Sequence, residues 1–353
     1  MRVGIVNDLA VARETLRRVV TAVPGYVVAW TADDGDEAVS KTLCDRPDVV
    51  LMDLVMPRLN GVEATRQIMQ RSPCPVLVVT ASVSNHFPLV FQALGAGAVD
   101  AVDTPTLNPN GAVQNASKLV ERLAKLEAAL AGLTGSAIMP LAGTSSHPAD
   151  LPPLVLLGAS TGGPEALAQV VSAFPADFGA GVLISQHIGA DFAHGLVQQL
   201  AAWCRLPVRA AQEGELVRAG TVYVAATDDH LELGADRTLR YTPNPKSSPY
   251  RPSVDVLFTS AVNNASRPGV AALLTGMGHD GAAGLLKLRA AGWHTVAQNE
   301  STCVVYGMPK AAAEKRAAVE VLALQHIGAS IVVKVNAFKR RSHAGVPATD
   351  SGA

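Results

Sequence analysis

Ser160 lies in a stretch that could present a nucleophile. A run of four apolar residues, 154–157, comes just before a Gly/Ser/Thr turn, and a helical pattern begins at Pro164. A corner of this kind projects a hydroxyl from the carboxyl end of a strand and leaves backbone N–H groups of the following helix available. The dinucleotide pattern Gly-x-Gly-x-x-Gly does not match here. The corner alone leaves three interpretations open: a nucleophile for acyl transfer, an anion site and a structural turn.

A histidine and an aspartate follow two other apolar strands of the same half of the chain. His187 comes after strand 182–185, and Asp280 lies in a glycine-rich segment after strand 270–274. The carboxyl ends of parallel strands share one edge of a sheet, so the two side chains are expected beside Ser160, as a Ser-His-Asp mechanism requires. Taken singly, His187 could be a satisfied strand-end histidine and Asp280 a helix cap. Their joint placement favours catalysis.

The competing polar residues are less well placed. We predict that His230 lies in a polar turn before a hairpin, and that His294 begins a strand away from the carboxyl edge. His279 adjoins the candidate acid, and Asp191 is better explained as a helix N-cap.

The elements that must position these residues alternate throughout the chain. The first half predicts strands near residues 3–6, 27–30, 49–52, 76–79 and 98–102, with helical patterns between them. The second half adds strands near residues 154–157, 182–185, 208–210, 221–225, 270–274 and 295–298, and a hairpin over 231–233 and 238–241. The predicted class is α/β: an N-terminal (βα)5 domain and a C-terminal doubly wound, mostly parallel sheet.

Length and composition limit the function classes. With 353 residues the chain predicts two domains, over 1–125 and 154–340, with a flexible linker at 126–153 and a tail at 341–353. A net charge of −1 with 17% charged residues argues against nucleic-acid binding. Apolar runs stay short of the roughly 18 residues of a membrane helix, and the scattered cysteines predict no structural zinc. We therefore expect a soluble, cytoplasmic protein.

Polar residues at strand ends of the first half suggest a cation site. The acids Asp8 and Asp53 follow the first and third strands, and the hydroxyl of Thr80 follows the fourth. Two converging carboxylates could hold Mg²⁺, although strand-end acids also cap helices. The phrase Leu-Met-Asp-Leu-Val-Met-Pro over 51–57, followed by Asn60-Gly61, resembles the receiver domain of two-component response regulators. That resemblance implies phosphorylation of Asp53, Mg²⁺ on Asp8, Asp53 and the carbonyl of Val55, and a switch role for Thr80.

Three positions depart from the usual receiver pattern. Asn7 stands where a second acid is usual, Thr104 where a lysine is usual, and Ala101 where an aromatic residue is often found. Without the lysine, a charge-assisted contact worth roughly 1.5–3 kcal/mol is missing. We expect phosphorylation of Asp53 with weakened or altered coupling to activity. The departures around Asn7 and Thr104 are similar to those of the WspF-like branch, whose arrays answer surface contact and feed a diguanylate cyclase.

Motifs of the second half look like the catalytic domain of CheB methylesterases. They are Gly-Ala-Ser-Thr-Gly-Gly over 158–163, Gln186-His187, Gly214-Glu215, Val-Tyr-Val-Ala over 222–225, Arg-Pro-Ser-Val-Asp over 251–255, residues 276–284 and residues 303–309. The resemblance implies hydrolysis of γ-glutamyl methyl esters, and a possible deamidation of glutamines, on the cytoplasmic helices of chemoreceptors.

The same resemblance implies a role for each candidate residue. Ser160 would be the nucleophile, His187 the general base and then acid, and Asp280 its orienting carboxylate. Backbone N–H groups of Thr161 and Met277 would bind the oxyanion. Hydrolysis would need no cofactor, whereas receiver phosphorylation would use Mg²⁺. The implied partners are chemoreceptors and a CheA-type histidine kinase as phosphodonor, with no nucleic acid and no membrane insertion.

Three other functions remain open from the residues. A triad does not name its substrate, so a receiver-controlled serine esterase or amidase acting on small molecules is one alternative. A transcriptional response regulator would need a basic, helical DNA-binding module, and residues 154–338 instead alternate strands with helices. A catalytically silent signalling adaptor is the third.

Overall fold

Two parallel sheets organise the chain. The computed structural model describes residues 1–83, 85–108, 110–130 and 151–343. Within these residues the strands are β1 (Arg2–Val6), β2 (Val27–Ala32), β3 (Val49–Met52), β4 (Val76–Thr80), β5 (Asp100–Asp103), β6 (Thr106–Leu107), β7 (Val113–Gln114), β8 (Leu154–Ala159), β9 (Gly181–Gln186), β10 (Val208–Ala210), β11 (Thr221–Val224), β12 (His230–Leu233), β13 (Leu239–Thr242), β14 (Val270–Leu273), β15 (His294–Gln298) and β16 (Glu320–Leu322).

Helices connect the strands in both halves. They are α1 (Ala10–Ala22), α2 (Gly35–Cys44), α3 (Gly61–Arg71), α4 (Phe87–Ala96), α5 (Ser117–Leu130), α6 (Gly163–Ser172), α7 (Ala190–Trp203), α8 (Val254–Asn264), α9 (Ala282–Ala290), α10 (Met308–Glu314) and α11 (Leu324–His343), with a 3₁₀ turn at Glu300–Thr302. Of the helices in the described ranges, none has the length and apolar character that crossing a bilayer demands.

The first sheet has the predicted five parallel strands within the described residues, in the order β2-β1-β3-β4-β5. Strands β3 and β4 are buried along their whole length, which explains their continuous apolar sequences. The buried residues Leu16, Val19 and Val20 of α1 pack in the same core as Val3 and Ile5 of β1. The sheet therefore holds Asp53 and Thr80, which lie at the ends of adjacent strands, in fixed relation.

The second sheet has seven parallel strands in the described part of the chain, ordered β10-β11-β9-β8-β14-β15-β16. Strand β8 lies between β9 and β14, and its Leu157 is in register with Ile184 and Ala272. The order of the strands along the chain reverses at β8, and in open α/β sheets ligands bind at the carboxyl ends of strands beside such a reversal. Strands β12 and β13 form the predicted antiparallel hairpin. The predicted fold class is thus confirmed.

Several local predictions are wrong. His230 is not in a turn: it begins β12 and is fully buried. Helix α7 begins at Ala190 with Gly189 as its cap, so Asp191 lies in the first turn. Helix α5 ends at Leu130, where the sequence predicted a helix to end, and the bounds given to the linker stay a prediction. Helix α11 continues through residues 341–343 of the predicted tail, and residues 131–150 and 344–353 lie outside the described residues.

Candidate functional site

Ser160 lies at the predicted corner between β8 and α6. Its N–H donates to the carbonyl of Thr275 (3.0 Å), and its carbonyl accepts from the N–H of Gly163 (2.7 Å). Gly162 has a φ of +76°, a left-handed conformation that favours glycine and allows the tight turn into the helix. The strand, turn and helix predicted around Ser160 are therefore confirmed, and the serine stands at the carboxyl edge of the sheet.

His187 is the residue that follows β9, the neighbour of β8. Its backbone N–H donates to the carbonyl of Ala159, the residue immediately before Ser160 (3.1 Å). Its Nε2 lies 2.7 Å from Oδ2 of Asp280. Since Nε2 is engaged with the carboxylate, Nδ1 is the ring nitrogen that remains to accept a proton from a hydroxyl. The sheet thus places Ser160 and His187 at adjacent strand ends and joins His187 to Asp280.

The buried Asp280 carboxylate accepts hydrogen bonds from four donors. Besides His187, these are the Ser253 hydroxyl (2.9 Å) and the N–H groups of Val254 (2.6 Å) and Asp255 (3.1 Å). Burial by itself would raise the pKa of Asp280, but the hydrogen bond and charge of His187 and the two N–H donors hold it below its usual value. Asp280 therefore stays ionised and orients the imidazole.

The interpretation of Asp280 as the cap of the following helix is wrong. Gly281 is the N-cap residue of α9, with a φ of +83° and no side-chain cap bond. Asp280 instead accepts hydrogen bonds from the first N–H groups of α8, a helix that was not predicted from the sequence. Gly158 makes this possible, since a Cβ at that position would overlap the side chain of Val254 and push α8 away from β8.

Three residues to which the sequence predicted no part in the site support His187 and Asp280. The ring of Tyr250 stacks on that of His187, with centroids 4.6 Å apart and planes 12° apart. The hydroxyl of Ser253 donates to Asp280. Nδ1 of the buried His230 accepts from the N–H of Ser253 (3.0 Å), and burial lowers the pKa of His230, which favours this neutral acceptor. The Arg-Pro-Ser-Val-Asp motif was the available sequence signal for Ser253.

A second carboxyl group lies beside Asp280. Asp255, on the first turn of α8, accepts from the N–H of Gly284 (2.6 Å). Burial, followed by the negative charge of Asp280, raises the pKa of Asp255 from 3.8 to about 7. Ionising Asp255 therefore costs free energy in the folded protein.

This shift predicts how stability depends on pH. Between pH 3.8 and about 7 the folded protein keeps a proton on Asp255 that the unfolded chain has lost, so this group's contribution to the free energy of unfolding falls as pH rises. We expect Asp255→Asn to remove that slope and to be more stable than wild type at pH 8, by on the order of a few kcal/mol. Urea unfolding from pH 4 to pH 8 measures it. Exposed Asp36→Asn on α2 is the control, and equal slopes for wild type and Asp255→Asn would contradict the prediction.

The predicted oxyanion donors lie at the same edge of the sheet. Thr161 follows Ser160 and is buried, and its carbonyl accepts from the Thr275 hydroxyl (2.9 Å). Met277 lies in the segment between β14 and α9. The roles of their N–H groups stay predictions.

In the first sheet, Asp53 follows β3 and is 9% exposed. Its Oδ2 accepts from the Asn7 amide (2.9 Å), and its Oδ1 from the N–H of Leu54 (2.7 Å). Burial raises the pKa of Asp53, the charge of Asp8 adds to that rise, and N–H donors oppose it. Asp53 thus lies at the end of β3, where the sequence placed it, and its phosphorylation stays a prediction.

The oxygen atoms near Asp53 suit Mg²⁺. Two carboxylates, of Asp8 and Asp53, and the carbonyl of the exposed Val55 are hard ligands of the kind that Mg²⁺ prefers. The Asn7 amide oxygen is occupied, since it accepts from the N–H of Leu9 (2.9 Å). Within the described residues, groups of three or more His, Cys, Asp or Glu side chains able to hold a metal are absent. Any Mg²⁺ here would thus depend on the carbonyl and on water for its remaining ligands.

Comparison with known proteins identifies both halves. The family described as "CheB methylesterase" matches residues 155–331, and the response regulator receiver domain matches residues 3–110. A Burkholderia thailandensis protein named protein-glutamate methylesterase/protein-glutamine glutaminase 4 is 47% identical over 97% of this chain and 99% of its own. The chain belongs to the CheB family. A like-named Cupriavidus metallidurans protein is 47% identical over 96% of this chain and 100% of its own.

A solved structure supports membership of the CheB family in the second half. The crystal structure of the Thermotoga maritima CheB methylesterase catalytic domain is 34% identical, with a TM-score of 0.50, and covers 52% of this chain and 98% of that one. Both family resemblances seen in the sequence are therefore confirmed. Whether this CheB-family chain belongs to the WspF-like branch stays a prediction.

Proposed function

We propose that this protein is a response-regulator methylesterase that hydrolyses γ-glutamyl methyl esters on the cytoplasmic helices of chemoreceptors, giving glutamate and methanol. Its relatives are named protein-glutamate methylesterase and protein-glutamine glutaminase, so deamidation of receptor glutamines is the second reaction of the same site. The observation that carries the proposal is the contact between His187 and Asp280 at the strand end beside Ser160.

The chemistry follows from the orientation of the imidazole. Nδ1 of His187 takes the proton of the Ser160 hydroxyl as its oxygen attacks the ester carbonyl, while Asp280 stabilises the resulting imidazolium through Nε2. The oxyanion is held by the N–H groups of Thr161 and Met277. The imidazolium then protonates the departing methoxide, and methanol leaves. Water, deprotonated by His187, hydrolyses the glutamyl ester on Ser160 and restores the hydroxyl.

The receiver domain regulates this activity. Asp53 accepts the phosphoryl group from a histidine kinase, with Asp8, Asp53 and the carbonyl of Val55 holding the Mg²⁺ that neutralises charge during transfer. Thr80, at the end of the neighbouring strand, responds to the phosphoryl group. Because the proposed substrate lies on the cytoplasmic helices of chemoreceptors, the protein acts in the cytoplasm. The WspF-like branch is proposed from Asn7 and Thr104 alone.

The decisive experiment measures methanol released from a methylated receptor fragment, with and without a small phosphodonor and Mg²⁺. Wild type should release methanol, and Ser160→Ala should not. Asp53→Ala should keep basal release and lose both phosphoryl labelling and the response to the phosphodonor. Labelling of Asp53→Ala equal to wild type would refute the phosphorylation site. Faster turnover of a chromogenic small ester than of the receptor fragment would favour the small-molecule esterase.

The stacked ring of Tyr250 predicts a positioning effect on catalysis. An aromatic stack is worth about 0.5–1.5 kcal/mol, so Tyr250→Ala should lower kcat by up to about tenfold by freeing the His187 ring, with little change in KM. Tyr250→Phe keeps the ring and should retain most of the wild-type kcat. Steady-state methanol release measures both. Equal losses in the two variants would mean that the hydroxyl matters and the stacking does not.

A further inference from the structure

A histidine lies beside the switch residue of the receiver domain, where the usual lysine is lacking. Thr104 occupies the lysine position, and its N–H donates to the carbonyl of Thr80 (2.8 Å). Nδ1 of His86 lies 3.0 Å from Oγ1 of Thr80. The hydroxyl expected to respond to phosphorylation is therefore already hydrogen-bonded to an imidazole.

The backbone holds His86 in this orientation. His86 is the N-cap residue of α4, but its side chain makes no cap bond to that helix and is directed to Thr80 instead. Its N–H donates to the carbonyl of Ser82 (3.1 Å), and its carbonyl accepts from the N–H of Val90 (3.0 Å). The preceding segment is tied to β5, since the N–H of Val83 donates to Asp103 (2.8 Å). These hydrogen bonds hold the backbone of His86 beside Thr80.

The charges around Asp53 favour a cationic or donor group at this position. His86 stands beside Thr80 at the end of β4, and β4 pairs with β3, the strand that Asp53 follows. Phosphorylation replaces the single charge of the Asp53 carboxylate by about −1.5 to −2 charges on the phosphoryl group, so the negative charge of this cluster of carboxylates grows by up to about one unit. A hydrogen-bond donor beside Thr80 is therefore favoured more strongly when Asp53 is phosphorylated.

We propose that His86 is a positioning residue for the phosphorylated receiver, in which its Nδ1–H donates to Thr80 Oγ1 and so leaves the hydroxyl proton to bond the phosphoryl oxygen on Asp53. A hydroxyl has one proton to donate and can accept at its lone pairs. If Nδ1 instead accepted that proton, the hydroxyl could not donate to the phosphoryl group. His86 in this way takes over part of the role that the lysine has in other receivers. The inference rests on the proposed phosphorylation of Asp53.

The test uses the full-length chain and beryllium fluoride with Mg²⁺, a phosphoryl analogue, with affinity measured by calorimetry. His86→Ala should weaken binding about tenfold or more, as expected for loss of a hydrogen bond that supports a charged group. His86→Asn keeps a donor near the position of Nδ1 and should bind within about threefold of wild type. Asn85→Ala, at the exposed residue just before His86, is the matched control and should bind as wild type does.

A double-mutant cycle and an NMR spectrum of the His86 ring determine whether His86 acts through Thr80. Combining His86→Ala with Thr80→Ala should weaken binding no further than Thr80→Ala alone. Nitrogen-15 NMR of the His86 ring should show a proton on Nδ1. The inference would be overturned if the losses of affinity in His86→Ala and Thr80→Ala multiplied in the double variant, or if Nδ1 carried no proton. It would also be overturned if His86→Asn bound as weakly as His86→Ala, or if His86→Ala bound as tightly as wild type. Failure of wild type itself to bind, or unchanged binding by Asp53→Asn, would instead overturn the receiver proposal.

Discussion

Replacing Ser160 by alanine is expected to lower the rate of methanol release from a methylated receptor fragment by three to six orders of magnitude. The estimate, about 10³–10⁶-fold, is typical of removing one member of a Ser-His-Asp unit. His187→Ala should cost a similar factor, since Nδ1 of His187 is the ring nitrogen left to take the serine proton. The double variant should be about as slow as either single variant, because each change already disables the same step.

Two exposed or peripheral substitutions serve as matched controls for this pair. Ser172→Ala removes a hydroxyl at the end of α6 that donates only to the carbonyl of Gln169 in the described contacts (2.8 Å). His194→Ala removes an exposed imidazole on α7. Both should keep wild-type kcat. Losses for Ser160→Ala and His187→Ala that multiply in the double variant would contradict a shared mechanism, and retention of a tenth of the wild-type rate by Ser160→Ala would exclude it as nucleophile.

Asp280→Asn should lower kcat by about 10⁴-fold, with a smaller effect on KM. An amide can present its NH₂ to Nε2 of His187, which would favour the wrong tautomer and leave Nδ1 protonated. It also removes the negative charge that stabilises the imidazolium during catalysis. The rate of methanol release across pH, measured for wild type and variant, tests both effects.

The same substitution should also destabilise the second domain. The carboxylate of Asp280 accepts from Ser253, Val254 and Asp255 as well as from His187. Losing one acceptor leaves a buried donor unsatisfied, at about 1–3 kcal/mol. Urea unfolding gives the free energy of unfolding of each variant.

Ser253→Ala is a milder change at the same site and is compared with Asp280→Asn. It removes one of the four hydrogen bonds to Asp280 and keeps the charge, so it should lower kcat by about tenfold or less. A Ser253→Ala variant as impaired as Asp280→Asn would mean that the orientation of the carboxylate matters more than its charge. An Asp280→Asn variant with wild-type kcat would remove Asp280 from the mechanism.

The strand positions of Ser160, His187 and Asp280 could be predicted from sequence because a parallel sheet brings the carboxyl ends of its strands to one edge. Their supporting residues could not. Tyr250 and Ser253 precede a helix that was not predicted. His230 was predicted to lie in a turn, although it begins a buried strand. Short segments with mixed polarity carry no clear periodicity, so their conformation depends on packing with distant residues.

The sequence by itself determined the strands of both parallel sheets that carry the candidate residues, the two domains' fold class and the family, because apolar periodicity and motif spacing are local properties of the chain. Only the tertiary structure decided which nitrogen of His187 faces Asp280, that Asp280 accepts hydrogen bonds from the first N–H groups of α8 and does not cap α9, and that His86 contacts Thr80. These contacts join residues 93, 26 and 6 positions apart, respectively. Their geometry follows from how helices pack on the sheets, which no local pattern specifies.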